Sequence, residues 1–204
     1  LPVEVSLEAF TPFIPLNEED SGIPCGIIRY KVRNKAECDT KVSLVGTLPN
    51  ASGFEGYDVI ENLKLAGSGR NEYRQSGDIK GLYYFPEEIS EGHLRYGNMA
   101  IMMREKNVTY KAEWFDGEWV DGIQDFWDDF TEVGLLEKVT KSDSVGCEFA
   151  QFHNFSFLKR REKIGSIGTQ YVLRPGEERT FEFVISWYFP NRVKAWIEFD
   201  EDYD

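Results

Sequence analysis

The sequence predicts an all-β chain, an antiparallel β-sandwich carrying one short helix, and three observations predict it. Alternation of apolar and polar residues recurs along the chain, which puts one set of side chains on a buried face and the other in water. Aromatic residues make up 15% of the chain, and 18 glycines and 8 prolines supply turns. Only one stretch repeats its apolar residues at the spacing of a helix face. At 204 residues the chain fits one domain over 1–204, large enough to bury roughly 70% of its unfolded surface without a disulfide or metal. No internal repeat or low-complexity linker divides it.

The first strand is read from Val3, Val5, Leu7 and Ala9 alternating with Glu4, Ser6 and Glu8, the second from Ile28, Tyr30 and Val32 alternating with Arg29, Lys31 and Arg33. The connection between them is apolar at Phe10, Phe13, Ile14, Leu16 and Ile23. Surface loops are ordinarily polar, so this one is expected to pack on the sheet or on something beyond it. Its acidic tip, Asn17 to Gly22, is the exposed part. Thr40–Leu48 is the next strand, and Gly46, at an inward position, signals a bulge or a close backbone approach. The join Arg33–Val42 has the length of a hairpin with a loop of about five residues.

Pro49–Gly56 is a turn cluster, and Tyr57–Gly81 shows little periodicity, with Gly67–Glu72 its most loop-like and mobile part. Gly81–Phe85 is a short aromatic strand, and Asn98–Arg104 a buried central one around Met99, Ile101 and Met103. Val108–Trp114 alternates and turns at Asp116-Gly117, after which Trp119 and Val120 begin a return. The helix is Gly122–Val133, with Ile123, Phe126, Trp127, Phe130 and Val133 on one face, Asp121 as N-cap and Gly134 as C-terminal stop. Cys147–Leu158 and Tyr171–Leu173 read as strands, and Gly165, Ser166 and Gly168 suit a tight approach of backbones. Arg174-Pro175-Gly176-Glu177 carries the type II turn signature. Thr180–Phe189 is the strongest strand, with Phe181, Phe183, Ile185 and Trp187 on one side and cover expected on both. The acidic tail from Glu198 is expected to fray.

The formal net charge of −13 argues against nucleic acid and anionic membrane surfaces, both of which would repel it. It is compatible with neutral ligands such as sugars. No apolar run reaches the ~20 residues of a membrane helix, so no membrane insertion is expected. Three widely spaced cysteines, Cys25, Cys38 and Cys147, are no disulfide framework and point to a reducing, cytoplasmic setting. The sequons at Asn50, Asn107 and Asn154 read as chance occurrences. Leu1 is not an initiator methionine, so the absence of a signal peptide carries no weight, and the chain is expected to be a piece of a longer one.

The chemistry-bearing candidates read as structural. Asp116, Glu118, Asp121, Asp125, Asp128, Asp129 and Glu132 surround the helix, and two carboxylates about 5–10 Å apart could hydrolyse a glycoside. Their placement opposite the aromatic stripe favours a solvated helix face. They also lack the spacing of a calcium loop. His93 and His153 have no partner at metal-ligand spacing, and Cys25 lacks the basic setting of a reactive thiol. No cofactor motif is present. Tyr83, Tyr84, Trp114, Trp119 and Trp127 could stack on sugar rings, but all except Tyr84 fall on faces assigned to the core or its edge.

Three motifs in order carry a family resemblance. PFIPLNEEDSGIPCGIIRYKVRN, DFWDDFTEVGLL and RPGEERTFEFVISWYFPNR resemble the N-terminal domain of glycoside hydrolase family 116, the non-lysosomal glucosylceramidase and β-glucosidase family. Thr11 stands where the family usually has Ser. The resemblance implies a sandwich packed against an (α/α)6 barrel that holds the catalytic carboxylates. Nothing in this sequence matches the barrel, and the family's earliest strands are expected to precede Leu1. No catalytic residue is carried over, so this chain is expected to be non-catalytic, without cofactor or metal. Its partner would be the catalytic domain of the same polypeptide, with a glucoside as possible ligand. On this reading Phe10, Phe13, Ile14 and Pro15, with Phe189, Pro190, Asn191 and Arg192, become candidates for contact with the barrel or its rim. The alternative is a stand-alone, lectin-like module.

Overall fold

The computed structural model describes residues 1–57, 63–115, 122–136 and 163–191. The strands follow the alternation that predicts them. β1 (Val3–Phe10), β2 (Cys25–Asn34), β6 (Gly69–Ser76), β7 (Ile79–Pro86), β8 (Asn98–Met103) and β11 (Glu178–Tyr188) form one antiparallel sheet in the order β1-β2-β11-β8-β7-β6. β3 (Thr40–Pro49), β9 (Val108–Lys111) and β10 (Ile164–Leu173) form a second, ordered β3-β10-β9, and β4 (Phe54–Tyr57) pairs with β5 (Leu63–Leu65). The two larger sheets face each other. Leu82, Tyr84, Ile101, Met103 and Phe183 from the first meet Ile167 from the second in one buried cluster, and Val32 and Phe181 meet Leu173 in another. This is the all-β sandwich the sequence predicts.

Gly46 shows why the layers fit. A Cβ at Gly46 would lie 2.8 Å from Ile101 Cδ1 and 2.9 Å from Phe183 Cε1, and the pairing of β3 with β10 runs through it without a break. The glycine marks a close approach between sheets, not a bulge. Gly176 lies at φ 74°, and Glu177 N–H donates to Arg174 O at 3.0 Å, as the type II turn requires.

Helix α1 (Glu18–Ser21) is a single turn, and α2 (Gly122–Val133) is the helix its apolar spacing predicts. Gly134, at φ 72°, ends α2 with its N–H on Phe130 O at 2.9 Å. The helix lies on the outer face of the smaller sheet, where Gln170 Nε2 donates to Val133 O at 2.7 Å and Trp114 stacks on Phe126 with ring centroids 4.4 Å apart. Small residues permit that approach: a Cβ on Gly134 would collide with Ser43 Oγ.

Several expectations are corrected. Arg33–Val42 is no hairpin: β2 and β3 belong to different sheets, and the segment crosses between them. The buried amide of Asn34 organises the crossing, donating to Cys38 O and Leu173 O at 2.9 Å each while its oxygen accepts from Ala36 N–H and Thr40 Oγ1. Gly69–Glu72 is not loop but the start of β6, paired with β7. Gly165, Ser166 and Gly168 and the stretch Tyr171–Leu173 belong to one strand, β10, in which Gly165 and Gly168 lie against neighbouring backbones. Val5 and Leu7 pair with Val32 and Tyr30, so they share the inner face, yet both are exposed, while Val3 at the start of β1 packs against the cluster of Val32, Leu173 and Phe181. On α2 only part of the apolar stripe is covered: Phe126 is buried, while Ile123, Trp127 and Val133 are exposed. Asp116-Gly117, Trp119, Val120, Asp121, Cys147–Leu158 and the tail from Glu198 lie outside the described residues.

Candidate functional site

The residues of interest collect at one end of the six-stranded sheet. Phe10 pairs with Ile27, Cys25 pairs with Ser186, and Trp187 N–H donates to Pro24 O at 3.1 Å. The 11–24 loop, the start of β2 and the end of β11 therefore share one edge.

The loop is tied at many points. Ser21 Oγ accepts from Ile14 N–H at 2.9 Å and donates to Ile14 O at 3.0 Å, and Asn17 N–H donates to Ile14 O at 3.0 Å. Asn17 Oδ1 caps α1 by accepting from Asp20 N–H at 3.0 Å. Leu16 is held at φ 65°, the left-handed region that a γ-branched side chain rarely enters. What this held loop displays is apolar: Phe13 is 75% exposed, Ile14 48%, Ile23 51%, and Leu16 fully exposed. It does not pack down on its own sheet. Phe10 is held differently, under the Arg29 guanidinium at 4.9 Å, which itself pairs with Glu182 at 2.6 Å. Hydrogen bonds to Glu182 and Glu8, with their charges, hold the Arg29 pKa above its ordinary value.

The second candidate group serves the fold as well as the surface. The ring of Phe189 lies against the backbone of Gly97, leaving no room for a side chain there. Asn191 Nδ2 donates to Glu91 O at 2.5 Å and His93 O at 3.0 Å, tying the chain beyond β11 to the 91–97 loop. Pro190 is exposed, and Arg192 lies outside the described residues. Between β2, β11 and the neighbouring loops opens a cleft of about 560 Å3, whose lining includes Pro24, Phe54, Leu94, Arg95, Trp187 and Tyr188 together with Phe189 and Pro190. The strand pattern puts Trp187 on the core side with Phe183 and Ile185, but beyond the cover of the smaller sheet, so it stays 38% exposed and Tyr188 55%. The expected cover on both faces of β11 ends before these two residues. The missed signal is an inward-phased Trp followed at once by Tyr, Phe and Pro.

The carboxylates of α2 are not a solvated face throughout. Asp125 and Asp129, one turn apart, converge on Lys111 Nζ at 2.9 and 3.2 Å, with the lysine side chain only 3% exposed. Burial lowers the Lys111 pKa, but hydrogen bonds and charge from both aspartates outweigh it and leave the value above that of a free lysine. This carboxylate pair is committed to a cation and is not arranged to flank a bond. Asp128 accepts from Gln124 Nε2 on the exposed side. Asp116, Glu118 and Asp121 lie outside the described residues.

The aromatic platform is redistributed. Tyr84, the one ring not assigned to the core or its edge, is fully buried, and Tyr83 lies beneath the Arg74 guanidinium at 3.8 Å. Trp114 is engaged with Phe126 and donates through Nε1 to Ser166 Oγ at 2.8 Å, Trp127 is exposed on α2, and Trp119 lies outside the described residues. His93 Nδ1 accepts from Arg95 N–H at 3.0 Å; His153 lies outside the described residues. Cys25 and Cys38 are free thiols. Asn50 is buried with its amide bonded to Arg70 O and Asn71 Oδ1, which closes that sequon to modification. Among the described residues no group of three or more His, Cys, Asp or Glu side chains could hold a metal ion, and no helix is long and apolar enough to cross a membrane. In comparison with known protein families, residues 1–203 match the family described as beta-glucosidase 2, glycosyl-hydrolase family 116 N-term.

Proposed function

Because the chain belongs to this N-terminal-domain family of glycosyl-hydrolase family 116, we propose that it is the non-catalytic sandwich of a β-glucosidase or glucosylceramidase-like enzyme. In this role it packs against the catalytic domain of the same polypeptide and supports it. One observation carries the docking surface: a loop fixed by its own hydrogen bonds, strained at Leu16, presents Phe13, Ile14 and Leu16 to solvent. Strained backbone persists where the surroundings over-determine it and clusters where function uses it, and contiguous exposed apolar surface marks contact sites. The free thiols Cys25 and Cys38 suit a reducing, cytoplasmic setting for this domain.

Charge placed on the loop tests the reading. Phe13→Asp combined with Leu16→Asp is expected to leave the unfolding of this chain unchanged, since both side chains are already in water. In the full-length enzyme the same pair is expected to lower both the unfolding temperature and the rate of aryl β-glucoside hydrolysis. A full-length enzyme indifferent to both charges overturns the docking role. Hydrolysis of the glucoside by this chain alone, abolished by one carboxylate substitution, overturns the non-catalytic one.

A further inference from the structure

We propose that the cleft at the end of β11 binds a neutral pyranoside, a reading that goes beyond the docking role of the 11–24 loop, whose Pro24 is part of the lining. Its volume of about 560 Å3 falls inside the range of roughly 300–1,000 Å3 of small-molecule sites. A pyranose ring has a face of C–H bonds and a rim of hydroxyls. It therefore needs a flat apolar surface beside a directional donor, and a cleft of aliphatic residues alone would not select it. Trp187 and Tyr188 supply exposed ring surface. Arg95 supplies the donor, because its planar fork can reach two adjacent hydroxyl oxygens at once.

Charge decides between a neutral and an acidic ligand. Among the described residues no carboxylate lines the cleft and none pairs with Arg95, whereas Arg29, Arg70, Arg74 and Arg179 each have an acidic partner. One cation can receive hydroxyls, but an anion must also approach a chain of formal net charge −13. The walls are already in place. Gly53 N–H donates to Arg95 O at 3.0 Å and Ser52 Oγ to Gly97 O at 2.8 Å, locking the loop before Phe54 to the one that carries Arg95. A ligand entering a preformed site loses little to ordering it.

Titration of the chain with methyl β-glucopyranoside, followed by NMR of the five tryptophan indoles, tests the site. The expected result is a saturable shift of the one indole signal that Trp187→Phe removes, with a Kd in the range of about 1–10 mM. Trp187→Ala is expected to weaken binding about tenfold or more, and Arg95→Met to do the same with the stacking surface intact, each checked by an unchanged unfolding temperature. Arg95→Met keeps the test decisive if Trp187→Ala fails to fold. No saturable shift up to about 50 mM, or affinity unchanged in both variants, overturns the proposal. Binding of glucuronate but not the glucoside overturns the neutral ligand, and benzyl alcohol binding as tightly as the glucoside overturns the sugar.

Discussion

Lys111 Nζ stands 2.9 Å from Asp125 Oδ2 at the seam between β9 and α2, an ion pair whose lysine has almost no access to water. A buried pair loses most when one member is removed, because the survivor is left charged without compensation. Lys111→Met removes the cation on which Asp125 and Asp129 converge and is expected to cost about 3–5 kcal/mol in urea unfolding. Asp125→Asn is expected to cost less, since Asp129 remains 3.2 Å from the lysine. Replacing all three with apolar residues is expected to recover most of the loss, and failure to recover would show that the triad adds net stability.

Alkaline pH is expected to weaken the fold through the same lysine and Tyr84. Burial holds the Tyr84 hydroxyl well above the ordinary tyrosine range, and that hydroxyl donates to Gly165 O at 3.3 Å. At Lys111 burial opposes the charge but the two aspartates prevail, so its folded value too lies above its unfolded one. A group raised on folding stabilises fully below its unfolded pKa, and the contribution is lost as pH rises through the folded value. Unfolding free energy is therefore expected to show no decline from these groups between neutral pH and about 9.5, then to fall. Tyr84→Phe is expected to reduce the slope above that point.

Asn34 shows which part of the fold the sequence leaves open. Alternation through Ile28, Tyr30 and Val32 marks a strand because it reports which face is buried, but says nothing of which strand lies alongside. Hence Arg33–Val42 reads as a hairpin, while the crossing depends on four hydrogen bonds to a side chain whose partners include Leu173, distant in sequence. β6 escapes notice because its inward Asn71 alternates with polar neighbours; Asn71 is buried through bonds to Asn50 and Ala112, not by apolarity. In Gly81-Leu82-Tyr83-Tyr84-Phe85 no charge sets the phase, so Tyr84 could be placed on either face. The apolar 10–16 loop is legible because its composition contradicts its position. The cleft is not, since Phe54, Arg95 and Trp187 meet only through tertiary structure. Asn34→Ala removes all four of these hydrogen bonds and is expected to cost about 2–4 kcal/mol, read by thermal unfolding.

Gly46→Val places a branched side chain where Ile101 and Phe183 already sit. Overpacking of this kind costs about 1–3 kcal/mol. Because the neighbouring atoms are side-chain tips, Phe183→Leu in the Gly46→Val background is expected to restore part of the loss. Additive losses in the double variant would place the strain in the backbone instead.

Leu16→Gly separates what the loop costs from what it does. Held at φ 65° and fully exposed, Leu16 makes the folded chain less stable than a glycine at that position would, by about 1 kcal/mol. Glycine also gains freedom in the unfolded chain, which offsets part of that gain. The expected outcome for this chain alone is therefore unchanged or slightly higher stability. In the full-length enzyme the sign reverses on the proposed reading, because the lost leucine contact is worth about 1.5–3 kcal/mol if fully buried against the catalytic domain. Thermal unfolding of the two forms side by side measures both signs. A gain in both would leave the strain at Leu16 without a purpose at the interface. A gain in the chain with a loss in the enzyme ties the strained residue to docking.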